Sequence, residues 1–213
     1  MILDRMFRIS WTKYIYYNYL SRKVVRNGSG RIIPYKNSVI VLGKGARIVL
    51  HEGNMYVNVN RPKGSKCEAY ILLRDNAVLE VHKNSQLCYG STIEIHEGGK
   101  IEIGSAYFNS ESVILAEKSI SIGEDTMFAR QVYIYDSDHH SFLNEQGEKI
   151  NAQKDVIIGN HVWVGMKSCL LKGTKIGDGA VVAAYSLVGG KVKGGTMVQG
   201  NPARAYAEVR WSV

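Results

Sequence analysis

Between Ile158 and Lys193 an aliphatic residue returns at every sixth position: Ile158, Val164, Leu170, Ile176, Val182 and Val188. The fifth residue of each hexad is small or β-branched: Val162, Ser168, Thr174, Ala180, Ser186 and Val192. A period of six matches neither the 3.6 of a lone helix nor the 2 of a simple strand, so it is a structural repeat. Three hexads make a coil of eighteen residues, each hexad supplying one short strand and one corner. The aliphatic first residue fills the interior. Gly159, Gly165, Gly177 and Gly189 follow it, where a residue without Cβ accepts a tight corner. Stacked coils would sit about 4.8 Å apart, hydrogen-bonded coil to coil. The predicted fold class is an all-β parallel solenoid.

Upstream, from about Ile32 to Ile122, the hexads are ragged: Leu42 and Ile48, Leu73 and Leu79, then Ile95 and Ile101 stand six apart. Residues 60–66 read as a surface loop. After Ile122, Phe128 and Ile134 the pattern stops. Residues 136–156 are polar and unperiodic, which predicts a loop thrown outward from the solenoid, the usual carrier of function. Beyond the last hexad, Asn201-Pro202 starts a turn and residues 203–211 are expected to form a short closing helix. The chain thus divides into an N-terminal segment (1–31), the solenoid (32–200) and a C-terminal tail (201–213).

Charge sharpens the picture at one end. The net charge is +8, yet residues 1–36 hold eight Lys or Arg against the single acid Asp4, leaving the rest near neutral. Phe7, Trp11, Tyr14, Tyr16, Tyr17 and Tyr19 lie among those cations, and a helix is expected there. Such a segment suits a cap over the first coil's open core, or contact with an anionic membrane surface through residues 1–31. Nucleic acid is not the expected partner. No run approaches 18 apolar residues and no secretory signal pattern opens the chain, so the expected location is the cytoplasm or the inner membrane surface. Cys67, Cys88 and Cys169 contain no C-x-x-C pair, which fits a reducing compartment.

The excursion opens on Asp136, Asp138, His139 and His140. A neutral imidazole there is suited to take a proton from an attacking hydroxyl, with Asp136 or Asp138 as its orienting group. A metal site would need a further ligand such as His96 or His161, and adjacent histidines do not readily bind one ion. A solvated polar loop without chemistry is the remaining reading. Trp163 is sixth in its hexad and Tyr185 fourth, so both should point outward. An outward Trp invites a ligand or another subunit to cover it. Asn109 takes a position the solenoid would prefer aliphatic.

The hexads, followed by Gly200-Asn201-Pro202-Ala203-Arg204, resemble the hexapeptide-repeat acyltransferases, and within them the galactoside, maltose and capsular or O-antigen O-acetyltransferases. The likeness covers roughly residues 103–204. It implies a left-handed parallel β-helix, an exception to the right-handed crossover rule, and a homotrimer with sites between subunits. It implies acetyl-CoA as co-substrate, no metal, and transfer of acetyl to a sugar hydroxyl of a surface polysaccharide or its precursor. By the same likeness His139 is the general base, Asn109 contacts the acceptor, and Trp163 lies in the active site. It also places Arg204 at the coenzyme; beside these, the outward Tyr185, Asp136 and His140 are expected substrate contacts, and Gly165, Ala183 and Lys191 expected coenzyme contacts. Where many relatives carry Thr-Lys, this chain has Gly189-Gly190-Lys191, so Lys193 is an alternative phosphate contact. N-acetylation of an amino sugar nucleotide, a γ-type carbonic anhydrase with zinc-binding histidines, and an inert β-helical scaffold are the alternatives on the same fold.

Overall fold

The structure, a computed structural model, describes residues 8–212. Its chain winds as a left-handed parallel β-helix whose coils each lay one strand in each of three sheets. The first sheet stacks β1 (Val24–Arg26), β4 (Arg47–Leu50), β7 (Val78–Val81), β10 (Lys100–Ile103), β13 (Ser119–Ile122), β16 (Val156–Ile158), β19 (Lys175–Ile176) and β22 (Lys191–Val192). The second holds β2 (Ile32–Pro34), β5 (Met55–Val59), β8 (Ser85–Cys88), β11 (Ala106–Phe108), β14 (Thr126–Phe128), β17 (Trp163–Val164), β20 (Val181–Val182) and β23 (Thr196–Gly200). The third holds β3 (Ser38–Leu42), β6 (Ala69–Leu73), β9 (Thr92–Ile95), β12 (Val113–Ala116), β15 (Tyr133–Tyr135), β18 (Cys169–Leu170) and β21 (Leu187–Val188).

The hexad reading holds residue by residue. All six first-position aliphatics from Ile158 to Val188 are at most 3% exposed, and the fifth positions are buried with them. Each buried aliphatic stabilises the coil stack by roughly 1.5–3 kcal/mol. Ile158 pairs with Ile176, eighteen residues on, whereas Ile122 pairs with Ile158 across thirty-six. The excursion therefore adds one coil's length without breaking the sheet.

The corners work differently from the expectation. Left-handed φ falls on the fourth residue of the hexad: His161, Lys167, Gly173, Gly179 and Tyr185. Glycine at the second position serves close stacking instead. A Cβ on Gly165 would come within 2.5 Å of the Ala184 nitrogen in the next coil.

Both ends depart from the sequence reading. The coils begin at β1, ahead of residue 32. Before them, α1 (Trp11–Ile15) runs into a π-helical turn, Tyr16–Leu20, that closes the first coil. Buried Asn18 takes the Ile32 N–H on Oδ1 and donates Nδ2 to the Ile32 carbonyl, while the Tyr17 hydroxyl donates to the Ile40 carbonyl at 2.8 Å. The part of the expected aromatic helix before residue 8, Phe7 included, lies outside the described residues. At the other end the expected helix is a strand: β24 (Ala203–Glu208) pairs antiparallel with β23. Residues with good helix propensity were overridden by the unpaired edge that β23 offers.

Candidate active site

His139 stands where the chain leaves the third sheet after β15, with φ at +59°. A non-glycine residue held there is strained, and such strain gathers at functional positions. Its Nδ1 lies 2.9 Å from Oε1 of Glu117, a residue at the same corner one coil earlier, and 3.4 Å from the Ser137 hydroxyl. Gln153, in the returning limb of the excursion, donates Nε2 to the other Glu117 oxygen at 2.9 Å. Burial works to raise the Glu117 carboxyl, but the Gln153 amide and the His139 imidazole outweigh it and hold the group below its ordinary value. The carboxylate thus faces Nδ1–H and fixes the tautomer that leaves Nε2 as the basic nitrogen. Among the described residues no hydrogen bond occupies Nε2, and the side chain is 28% exposed.

Neither aspartate of the loop orients His139. Asp136 is fully buried, and its carboxylate accepts three backbone N–H groups, from Glu117 at 2.8 Å, Lys118 at 2.8 Å and Ser119 at 2.7 Å. This excludes the expected substrate contact and makes Asp136 the anchor of the turn that carries Glu117. Asp138 pairs with Lys172 at 2.6 Å and with Asn151 at 2.7 Å, pinning the loop's two limbs together. The Lys172 ammonium and the Asn151 amide hold its carboxyl below the usual range. His140 is exposed beside His139, its carbonyl taken by Asn151.

The other candidates collect elsewhere. Phe108, stacked on Phe128 at 4.8 Å, takes the interior position, so Asn109 sits one residue later at the corner and does not replace an aliphatic. That corner column continues through Ala129 and Gly165 to Ala183. Asn109 turns Oδ1 onto the Ser110 N–H at 2.8 Å. Tyr185, 62% exposed, lies at the same corner with the Lys167 ammonium 5.3 Å from its ring centre. Arg204 is exposed on β24 close by, opposite Gln199. Trp163 faces outward from β17, as expected. Lys191 lies on the first sheet, away from this corner. Within one chain, then, His139 and the Asn109 column stand at opposite edges of the third sheet, not in one groove.

Two features were invisible in the sequence. Glu117 is one; His96 is near it, with Nδ1 4.0 Å from Oε1 of Glu117. Ligand atoms of His96, Glu117 and His139 lie within 4.8 Å of one another, as do those of His51, Glu80 and His82, so these are the two places among the described residues where a metal could sit. The other is the C-terminal tail. Trp211 stacks on His161 at 4.0 Å and stands 6.1 Å from Trp163. His161 faces acceptors on both ring nitrogens, the Asp125 carboxylate at 2.7 Å and the Trp211 carbonyl at 3.0 Å. The Trp211 carbonyl and then Asp125 hold its imidazole above the ordinary histidine value. A raised folded value means docking is fully supported below about pH 6.5 and is lost as pH climbs through the raised value. Acrylamide quenching of Trp211 should therefore increase on going alkaline, and His161→Ala should abolish the transition. A pH-independent signal would contradict this.

Comparison with known proteins follows the same lines. Residues 155–190 match the family described as bacterial transferase hexapeptide (six repeats). The polysialic acid O-acetyltransferase of Neisseria meningitidis is 44% identical over 75 residues, 35% of each chain. The galactoside O-acetyltransferase of Escherichia coli K12 is 30% identical over 115 residues, 53% of this chain and 56% of that one. Among solved structures, the polysialic acid O-acetyltransferase OatWY superposes with a TM-score of 0.65 and 27% identity over 89% of this chain and 91% of that one. The chain spans about a third to a half of the length of the polysialic acid O-acetyltransferases of Neisseria meningitidis and Escherichia coli O1:K1 and of the lipopolysaccharide O-acetyl transferase WbbJ of Escherichia coli K12.

Proposed function

From a chain whose repeats and fold are those of the hexapeptide-repeat acetyltransferases, we propose an acetyl-CoA-dependent O-acetyltransferase acting on a sugar hydroxyl of a surface polysaccharide or its precursor. The observation that carries this reading is the 2.9 Å contact between His139 Nδ1 and a carboxylate that leaves Nε2 open. Acetyl-CoA supplies an acyl group already activated as a thioester. The rest falls on the protein. His139 accepts the acceptor hydroxyl's proton at Nε2 as the oxygen attacks the carbonyl carbon, then returns it to the departing sulfur. The Glu117 carboxylate stabilises the imidazolium formed in between, and holding the hydroxyl in place supplies much of the remaining rate. The small-residue column of Gly165 and Ala183, the outward Trp163 and the exposed Arg204 suit a long, thin, phosphorylated co-substrate.

The separation of His139 from that column supports a homotrimer in which one subunit supplies the base and its neighbour the co-substrate wall. Phe142, Leu143 and Ile150 of the excursion, 58%, 60% and 65% exposed, give such a neighbour an apolar surface to cover. Among the described residues no helix is long and apolar enough to cross a membrane. Trp11, Ile15, Tyr16, Tyr19 and Leu20, each about half exposed or more, support peripheral contact of the N-terminal segment with lipid.

Thiol release from acetyl-CoA, measured with hydroxyl-bearing saccharides and with amino sugar nucleotides, tests the reaction class. Release that needs a hydroxyl acceptor is expected; release only with amines would replace O- by N-acetylation. The His96, Glu117 and His139 trio favours one second reading, a zinc-dependent hydratase. Purified protein is expected to hold no stoichiometric zinc and to keep its transfer activity after chelation. Zinc at one per chain, with activity lost on chelation, would overturn the base assignment.

A further inference from the structure

At the edge of the first sheet opposite His139, the outer face carries a second cluster of histidines and carboxylates. Side chains alternate across a strand, so Glu80 of β7 and His82 just after it face out while Val81 is buried between them. Leu50 of β4 pairs with Val81, which sets His51 beside His82 one coil away. The two imidazole rings stack at 4.4 Å and 12°. Nε2 of His51 lies 2.9 Å from Oε1 of Glu80, and Nε2 of His82 lies 3.0 Å from Oε1 of Glu102 on β10. Lys100 takes the other oxygen of each carboxylate, at 2.8 Å from Glu80 and 2.9 Å from Glu102. The Lys100 ammonium and then His51 hold the Glu80 carboxyl below its ordinary value, so it is ionised at neutral pH.

We propose that His51, Glu80 and His82 form a binding site for a divalent ion of the zinc class, which clips the coil of β4 to the coil of β7. One ligand atom from each of the three already lies within 4.8 Å of the other two. Two ligand bonds of about 2.0–2.2 Å at a tetrahedral angle hold their atoms about 3.4 Å apart, so the 2.9 Å pair of His51 and Glu80 has to open only slightly. Binding exchanges the His51–Glu80 and His82–Glu102 hydrogen bonds for bonds to the ion. Two imidazole nitrogens with one carboxylate suit zinc, nickel or copper, whereas magnesium and calcium take oxygen shells. Among these contacting side chains two carboxylates outweigh one ammonium, so the cluster attracts a dication while its imidazoles are neutral. Lys100 does not compete for the ligand oxygen. It holds Oε2 of Glu80 and aims Oε1 at the ion, the part an outer-shell partner plays at metal centres. The side chains of His51, Glu80 and His82 are 27%, 21% and 36% exposed, which leaves the fourth position to water and lets the ion exchange with solvent. The ion is therefore taken up when supplied and removed by a chelator. It binds the stacked coils and not the unfolded chain, so it stabilises the fold.

The test is calorimetric titration of the untagged, chelator-treated full chain with zinc chloride. One ion per chain is expected, with a rise in the thermal unfolding midpoint at saturating zinc and at least about tenfold weaker binding of magnesium. His51→Ala, His82→Ala and Glu80→Gln should each weaken zinc binding at least about tenfold and lose the rise in midpoint. His139→Ala, which removes a ligand of the other histidine trio, should bind zinc like the wild type. Circular dichroism without zinc checks that the variants fold, and Glu80→Gln, which keeps the side chain's shape, decides the matter where an alanine variant does not. No zinc binding, equal binding by the folded variants, binding lost in His139→Ala, or magnesium bound as tightly as zinc would each overturn the site. Acetyl transfer plays no part in these readouts, so the site and the transferase reading stand or fall separately.

Discussion

Replacing His139 with alanine is expected to lower kcat for acceptor-dependent acetyl transfer by about 10²–10⁴, the range a positioned general base supplies. KM for acetyl-CoA should change little, because the imidazole acts on the acceptor's proton and not on the coenzyme. Glu117→Gln should cost up to about 10⁴, again in kcat. A glutamine amide can turn its N–H toward Nδ1, which moves the imidazole proton to Nε2 and removes the lone pair that takes the hydroxyl proton. His140→Ala, by contrast, leaves the 2.9 Å contact of His139 with Glu117 untouched and should keep most of the activity. Activity retained in His139→Ala and lost in His140→Ala would reverse the assignment.

Asp136→Ala is expected to destabilise the protein by about 3–5 kcal/mol in chemical denaturation. The buried carboxylate accepts the N–H groups of Glu117, Lys118 and Ser119 at 2.7–2.8 Å. Removing it leaves three donors unsatisfied in the interior, each at roughly 1–3 kcal/mol, partly relieved by water entering the cavity. Asp136→Asn should recover little, since an amide presents two donors where three donors already point. The same turn carries Glu117, so these variants should also lose transfer activity while still folded. A stability change under about 1 kcal/mol would mean that the carboxylate does not hold the turn.

What the sequence made legible was the uninterrupted part of the solenoid. From Ile158 to Val188 each interior position returns at six because no loop intervenes, and all of them are buried. Upstream, the offset between stacked residues varies: Leu79 meets Ile101 across twenty-two positions and Ile101 meets Ile120 across nineteen. Without a constant offset, corner columns cannot be counted along the chain. That is why Asn109 reads as an interior position and why Glu117, twenty-two residues before His139, does not stand out as its partner. Adjacent acids draw attention to Asp136 and Asp138, but chain proximity does not say which way a carboxylate turns at a corner. The C-terminal strand was hidden for a different reason. Alternating Ala, Arg, Tyr and Glu over residues 203–208 carries no strong period, and only the open edge of β23 decides its state.

An O-acetylated sugar is the product that defines this activity. Labelled acetyl-CoA, the protein and a panel of acidic and neutral saccharides should yield label in the saccharide, and mild alkali should release it as acetate, since esters are labile there and amides are not. No label in any saccharide from a folded protein that binds acetyl-CoA, or label that survives alkali, would contradict acetyl transfer to a sugar hydroxyl.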